Sequence, residues 1–361
     1  IMVSTFIPTA NGQSGLPKFS TSAEILHKWR MLLASAQSQK VNVVIVTDVD
    51  GTLIPDGVPN ALAFPTPKMV ETLTRFMELG DNHWMVTGKS VEQVEERFPG
   101  LPFHVNGLFD LQQRLHGQEV VPHASVTHRV IESLVAIHEK LSAMFEPDTP
   151  GHEVVHQGSI TSAHTLGLER LTLQVEVVWK AFEEGLKVPI EVLHELAQTH
   201  DMDFISGDGY INFRPHEASK ADIIREILKD CPPNTIVICA GDGSKDKAMF
   251  GELAELEAQG KILGSMCYGI AHPNLKVQFN ANGKPDLVTV LEGHSVDPSL
   301  VLTGEDGHFL LPDPEAFAET LDALQDVLTV EFKELVKGFK GTNLATGQQA
   351  PATLIGVSVG R

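Results

Sequence analysis

The sequence predicts an α/β protein: a parallel sheet flanked by helices, with a second α/β domain inserted into it. Four observations predict this. The run Val41-Asn42-Val43-Val44-Ile45-Val46 is apolar at five of six positions and rich in β-branched residues, as in a strand buried on both faces. A similar run, Thr235-Ile236-Val237-Ile238-Cys239-Ala240, lies far downstream. Both runs end in acids, Asp48 and Asp50 after the first, Asp242 and Asp246 after the second. Between them, over 107–209, the pattern changes to a separate mixture of helix and strand signals.

The elements follow in order. Residues 1–40 read as an N-terminal segment and a helix, with 1–18 punctuated by Gly, Pro and Ser. Ile25, Leu26, Trp29, Leu32 and Leu33 recur at helical spacing, with Ser22 as N-cap. The core is expected over 41–106 and 210–337. Pro67 suits the first turn of its next helix, whose apolar positions are Met69, Val70, Leu73, Phe76 and Met77. His83-Trp84-Met85-Val86 reads as a short strand ending in Thr87-Gly88-Lys89, before a helix over 91–98. Another short strand is expected over 101–108.

The inserted domain, 107–209, is expected to hold helices at 127–145, 171–184 and 190–200 and strands at 152–165 and 202–213. The core then resumes. Ser219 N-caps a helix carrying Ile223, Ile224, Ile227 and Leu228. A strand at 261–268, edge elements over 287–303 and a helix over 313–336 complete it. Residues 338–361 read as a flexible tail.

The chemistry lies at the strand ends. In open α/β sheets, ligands bind at the carboxyl ends of the strands. Two acids beside a buried strand repel each other and resist desolvation, so a compensating charge is required, most simply a divalent cation. Thr87, at a strand end beside a glycine and a helix N-terminus, can hold a phosphate oxygen. Lys220, in a first helical turn, opposes the helix dipole unless it faces an anion.

Asp48-Val49-Asp50-Gly51-Thr52 after an apolar run resembles the first motif of the haloacid dehalogenase (HAD) superfamily of phosphatases. Thr87-Gly88-Lys89, Ser219-Lys220 and Gly241-Asp242 with Asp246 resemble the other three motifs, in order. The resemblance implies a Rossmann-like parallel-sheet HAD core with an inserted α/β cap domain. It implies that Asp48 is the nucleophile, forming an aspartyl phosphate, and that Asp50 is the general acid and base. Thr87 and Lys220 complete the catalytic set. Mg2+ would be bound by Asp48, the Asp50 carbonyl and Asp242, with Asp246 supporting it directly or through water. Gly88 and Lys89 would bind substrate.

The large insertion resembles the sugar-phosphatase branch. Pro150-Gly151, Ser162-Ala163-His164 and Phe213-Arg214-Pro215 resemble the trehalose-6-phosphate phosphatases in spacing. His164 and Arg214 would then reach the sugar, with hinges near Asn106-Gly107 and 207–210 allowing the cap to close. Departures from that family's pattern fall at Val155, Gln157, Leu166 and Asn212 in the cap, and at Gly243 and Lys247 in the fourth motif. They keep two alternatives open: a phosphatase for another sugar or polyol, such as sucrose phosphate, and a non-catalytic sugar-phosphate-binding or regulatory relative. A partner synthase or a homo-oligomer is consistent with the resemblance.

Composition bounds these readings. Hydrophobic residues make up 42% and charged residues 20% of 361, a globular balance. A formal charge of −20 argues against nucleic acid or an anionic membrane as partner. A phosphate site must therefore be locally positive. Cys231, Cys239 and Cys267 have no metal-ligand spacing and imply no disulfide framework. With no apolar run of membrane-span length, the expected location is cytoplasmic.

Overall fold

The computed structural model describes residues 14–15, 19–36, 40–55, 63–77, 82–108, 111–122, 126–144, 152–157, 174–179, 189–207, 210–214, 219–271, 276–279, 285–291, 294–296 and 308–332. The first half runs β1 (Ser14–Gly15), α1 (Ser22–Ser35), β2 (Asn42–Thr47), α2 (Pro67–Met77), β3 (His83–Val86), α3 (Val91–Arg97), β4 (His104–Gly107), β5 (Gln112–Arg114), β6 (Val121–Pro122) and α4 (His128–Met144). Next come β7 (His152–Gln157), β8 (Gln174–Trp179), α5 (Ile190–Thr199), β9 (Asp203–Gly207) and β10 (Tyr210–Arg214). The last part is α6 (Lys220–Leu228), β11 (Thr235–Gly241), α7 (Ser244–Ala258), β12 (Gly264–Ile270), β13 (Lys276–Phe279), β14 (Pro285–Leu291), β15 (His294–Val296), β16 (Phe309–Leu311) and α8 (Pro314–Val330).

The central sheet has eight strands in the order β16-β12-β11-β2-β3-β4-β5-β6. The six from β16 to β4 are parallel, and β5 and β6 add antiparallel at one edge. Alternate side chains of β2 and β11 enter two separate cores, because successive residues of a strand point to opposite faces. Ile45, Ile236 and Ile238 pack with Trp29, Leu73, Phe317 and Leu321 from α1, α2 and α8. Val44, Val46, Val237 and Cys239 pack with Ile223 and Ile224 of α6 and with Met249 and Leu253 of α7. The result is a three-layer α/β/α sandwich, as expected from the apolar runs.

A second sheet, β7-β8-β10-β9, is antiparallel throughout. It has its own core, in which Leu134, Ile137 and Leu141 of α4 meet Leu193, Leu196 and Ala197 of α5, together with Met202 and Phe213. This is the inserted α/β cap. A third, four-stranded antiparallel sheet, β1-β13-β14-β15, is built from the N-terminal segment and the region before β16.

Several local expectations change. Residues 174–179 form strand β8, not part of a helix, because Val175, Val177 and Val178 favour a pleated surface and pair with β7 and β10. Thr21, not Ser22, caps α1: its hydroxyl accepts from the Glu24 N–H while Glu24 reaches back to the Thr21 N–H. The segments expected to be hinges lie inside sheets. Asn106 and Gly107 pair with Gln113 and Gln112, and Gly207 pairs with Tyr210 in the β9–β10 hairpin. Sheet membership changes between Pro122 and α4, and again after Arg214. Residues 338–361 lie outside the described residues. Among the described residues, no helix is long and apolar enough to cross a membrane.

Candidate functional site

From β2 the chain proceeds to β3 and β4 on one side, while β11, β12 and β16 extend the sheet on the other. The crevice between β2 and β11 is therefore a topological switch point, where open α/β sheets bind ligands. Asp48 follows β2 and Asp242 follows β11, so the two acidic loops meet there. The Asp48 N–H donates to the Ala240 carbonyl at 2.9 Å and ties the end of β2 to β11. A tight turn follows, with the N–H groups of Leu53 and Ile54 donating to the Val49 carbonyl at 2.9 and 3.0 Å. Val49, Leu53 and Ile54 are buried beneath it.

Lys220 enters from the first turn of α6, behind the Ser219 cap. Its ammonium lies 3.0 Å from Asp48 Oδ1 and 2.6 Å from Asp246 Oδ1. All three side chains are buried. The cation that opposed the helix dipole thus faces two carboxylates. Asp246 is held through both oxygens: Oδ2 accepts from the backbone N–H groups of Asp242 and Gly243, each at 3.0 Å. Gly241 leaves room for it, since a Cβ there would stand 2.2 Å from the Asp246 carboxyl carbon.

Electrostatics follow burial. Asp48 is pushed up to about 6, chiefly by desolvation, with Lys220 opposing the rise and Asp246 and Asp50 adding to it. Desolvation works against the Lys220 charge, but Asp246 and Asp48 outweigh it and hold the ammonium above its ordinary value.

Asp50 turns elsewhere. Its Oδ1 lies 3.1 Å from Lys89 Nζ, with the lysine side chain 11% exposed and the Asp50 side chain 50% exposed. Thr87, buried at the end of β3, accepts the Lys89 N–H on its hydroxyl at 3.2 Å.

The donor set suits a hard divalent cation. Asp48, Asp242 and Asp246 offer carboxylate oxygens within 4.8 Å of one another. The site thus carries three carboxylates, two of which face the Lys220 ammonium. Asp246 already faces Lys220 and two backbone N–H groups, so Asp48 and Asp242 are the carboxylates that could ligate an ion directly. Few protein oxygens with room for water is the coordination magnesium accepts.

No protein-family profile matches the sequence. Among solved structures, a trehalose-6-phosphate phosphatase related protein aligns with a TM-score of 0.52 at 17% identity, over 81% of this chain and 99% of that one. The C-terminal domain of the C. albicans trehalose-6-phosphate phosphatase aligns with a TM-score of 0.52 at 16% identity, over 82% of this chain and 96% of that one. The fold is that of the trehalose-6-phosphate phosphatases. It is the HAD-like α/β fold with a cap, and at such identities the likeness is one of fold. In sequence, an alpha,alpha-trehalose-phosphate synthase [UDP-forming] B of Dictyostelium discoideum is 24% identical over 231 residues, 61% of this chain. The chain spans 26% of that relative's length.

Within this fold, the residues expected at the site separate into groups. Asp48, Lys220, Asp242 and Asp246 come together. Asp50, Thr87 and Lys89 form a second group joined through Lys89. His164 lies outside the described residues. Arg214 closes β10 opposite Asp203, in the cap sheet, and its side chain is likewise outside the description. Sequence reasoning gave Gly51 no role beyond a turn and passed over Gln112. Gly51 holds φ +68° in the turn after Asp50, and a Cβ there would meet Asp242 Oδ2 at 2.2 Å. A glycine after Asp-x-Asp was a visible sign of a turn, but not of that contact. Gln112, buried on β5, accepts the Val91 N–H at 3.1 Å and steadies the start of α3. No motif pointed to it.

Proposed function

We propose that this chain is a phosphatase that hydrolyses a phosphorylated sugar of the trehalose-6-phosphate type through an aspartyl phosphate on Asp48. The observation that carries the reading is the placement of Asp48 at the β2–β11 switch point, with Oδ1 held 3.0 Å from the Lys220 ammonium and Asp242 beside it. A buried carboxylate fixed through one oxygen has the other free to attack phosphorus. As that bond forms, the bond from phosphorus to the sugar oxygen breaks. Asp50 gives its proton to the departing alkoxide. It then takes a proton from a water that attacks the aspartyl phosphate, which releases inorganic phosphate and restores the Asp48 carboxylate and the protonated Asp50. Lys220 and the Thr87 hydroxyl hold phosphoryl oxygens as charge moves between them.

Asp48 and Asp242 would hold Mg2+, with Asp246 positioning Lys220 and the loop behind them. When bound, the ion supplies positive charge to the phosphoryl oxygens.

The cap, in this reading, spans about 126–214 and closes over the carboxyl edge of the core sheet, excluding water and adding contacts to the sugar. The core comprises the remainder from 41 to about 122 and from about 219 to 332, with the N-terminal segment and α1 packed on it. The sugar class is taken from the names of the relatives in structure and sequence. The test is release of phosphate from a panel of phosphorylated mono- and disaccharides, with and without Mg2+. No release from any member, or release that survives Asp48→Asn, sinks the reading. The match to part of a longer synthase supports a trehalose-phosphate synthase as partner. Failure of the two purified proteins to co-elute would remove that partner.

A further inference from the structure

We propose that Lys89 is a positioning residue: it fixes the direction of the Asp50 carboxylate instead of binding substrate. The ammonium lies 3.1 Å from Asp50 Oδ1, and of the two side chains the lysine is the buried one, at 11% exposed against 50%. The buried partner is the anchor, and the exposed one is what it holds.

The backbone beneath Lys89 is fixed on every side. Its N–H donates to the Thr87 hydroxyl at 3.2 Å, and its carbonyl accepts the Leu108 N–H at 2.9 Å. Leu108 adopts φ +53° at that contact. Gly107 passes so close that a Cβ on it would stand 2.9 Å from the Lys89 carbonyl oxygen. The Thr87 N–H donates to the Asn106 carbonyl at 3.0 Å. Directly after Lys89, Ser90 caps α3 in a reciprocal pair with Gln93. The Gln112 side chain then takes the Val91 N–H. The Asp50 backbone bridges Ile54 in the turn, but its side chain stands clear of that frame. It is half exposed and is followed by Gly51 in a left-handed conformation. In water such a carboxylate samples several rotamers, and the ion pair selects one.

The consequence for catalysis rests on the phosphatase reading. A general acid must meet the leaving oxygen from one direction, and a misplacement of about 1 Å can cost about 10²-fold in rate. A lysine that bound the phosphate would act on every ester alike. A lysine that aims Asp50 matters only where the leaving group needs a proton.

The experiment compares the full-length protein with Lys89→Met and Lys89→Arg, using a sugar phosphate and p-nitrophenyl phosphate with Mg2+. Lys89→Met is expected to lower kcat on the sugar phosphate by about 10²-fold. KM should stay within about twofold, and kcat on the aryl ester should change by less than about threefold. Lys89→Arg should recover most of the loss. Equal losses on both esters, or a rise in KM with kcat unchanged, overturn the proposal in favour of phosphate binding. A crystal structure of Lys89→Met decides the geometry independently of turnover. The Asp50 carboxylate is expected to leave its wild-type position, and if it stays, the proposal is wrong. A wild-type protein that releases no phosphate would sink the phosphatase reading alone, since the crystallographic comparison still decides what Lys89 holds.

Discussion

Gly51 and Asp242 approach each other with no space for one more carbon: a Cβ on Gly51 would lie 2.2 Å from Asp242 Oδ2. The loops after β2 and β11 are pressed together at this point, and the absent side chain permits it. Gly51→Ala must also place an L side chain at φ +68°. The strain costs about 1–3 kcal/mol, and the methyl group displaces the Asp242 carboxylate. The expected outcome is a lower unfolding midpoint together with weaker Mg2+ binding by calorimetry. Mg2+ binding at wild-type affinity would show that Asp242 is not a ligand.

Asp48→Asn is expected to abolish turnover while leaving the fold intact. An amide is a poor nucleophile and a weaker ligand for magnesium. Stability should hold, since one of the two carboxylates facing Lys220 is removed and with it a charge that burial disfavours. Circular dichroism and phosphate release measure the two halves. Turnover within about tenfold of wild type is incompatible with a nucleophilic Asp48.

Asp50→Asn should separate substrates by leaving group. An aryl oxide departs without a proton, and a sugar alkoxide does not. The loss on the sugar phosphate is expected to be about 10²–10⁴-fold, and much less on the aryl ester. Equal slowing of both would remove Asp50 from the role of general acid.

Lys220→Met leaves Asp48 and Asp246 buried without their shared cation. Breaking a buried pair from one side costs about 3–5 kcal/mol, most of it from the uncompensated charge. Adding Asp48→Asn to Lys220→Met should therefore restore part of the stability, giving a favourable interaction energy in a double-mutant cycle. Strictly additive losses in urea unfolding would mean that the two groups do not interact.

His83 gives the fold a pH dependence separate from the site. Burial, with His104 adding to it, pushes the His83 imidazole down to about 3. Its Nε2 lies 3.3 Å from the Thr47 hydroxyl, and its ring stands edge-on to Phe103. In the unfolded chain it titrates near its ordinary value of about 6.5. Between those values the unfolded state binds the extra proton. The stability is therefore fully present above about 6.5 and is lost as the pH falls toward about 3. At pH 5 the loss is about 2 kcal/mol. Urea midpoints at pH 7 and pH 5 should show this for the wild type, with a smaller drop for His83→Gln. The same drop in both proteins would assign the acid sensitivity elsewhere.

The core was legible because burial writes itself into a strand. Val43 to Val46 and Ile236 to Cys239 have helices on both faces, so both sets of alternating residues are apolar. The cap was less so. Its sheet was found only in part, and Val175, Val177 and Val178 were assigned to a helix, because a short apolar run carries little periodicity of its own. The antiparallel edge strands β5 and β6 are three and two residues long, too short for any alternation to register.

By itself, the sequence determined the sandwich, its acidic strand ends and the glycine turn at 51, because these depend on local pattern and on which residue types tolerate burial. Only the tertiary structure decided how the charges are shared. Lys220 bridges Asp48 and Asp246, Asp246 is closed off by two N–H groups, and Lys89 turns to Asp50. Asp48 and Lys220 are 172 positions apart in the chain, and Lys89 and Asp50 are 39. Their pairing follows from strand order across the switch point, which no local pattern records. Electrostatic strength depends on distance and burial, and both are properties of the assembled sheet.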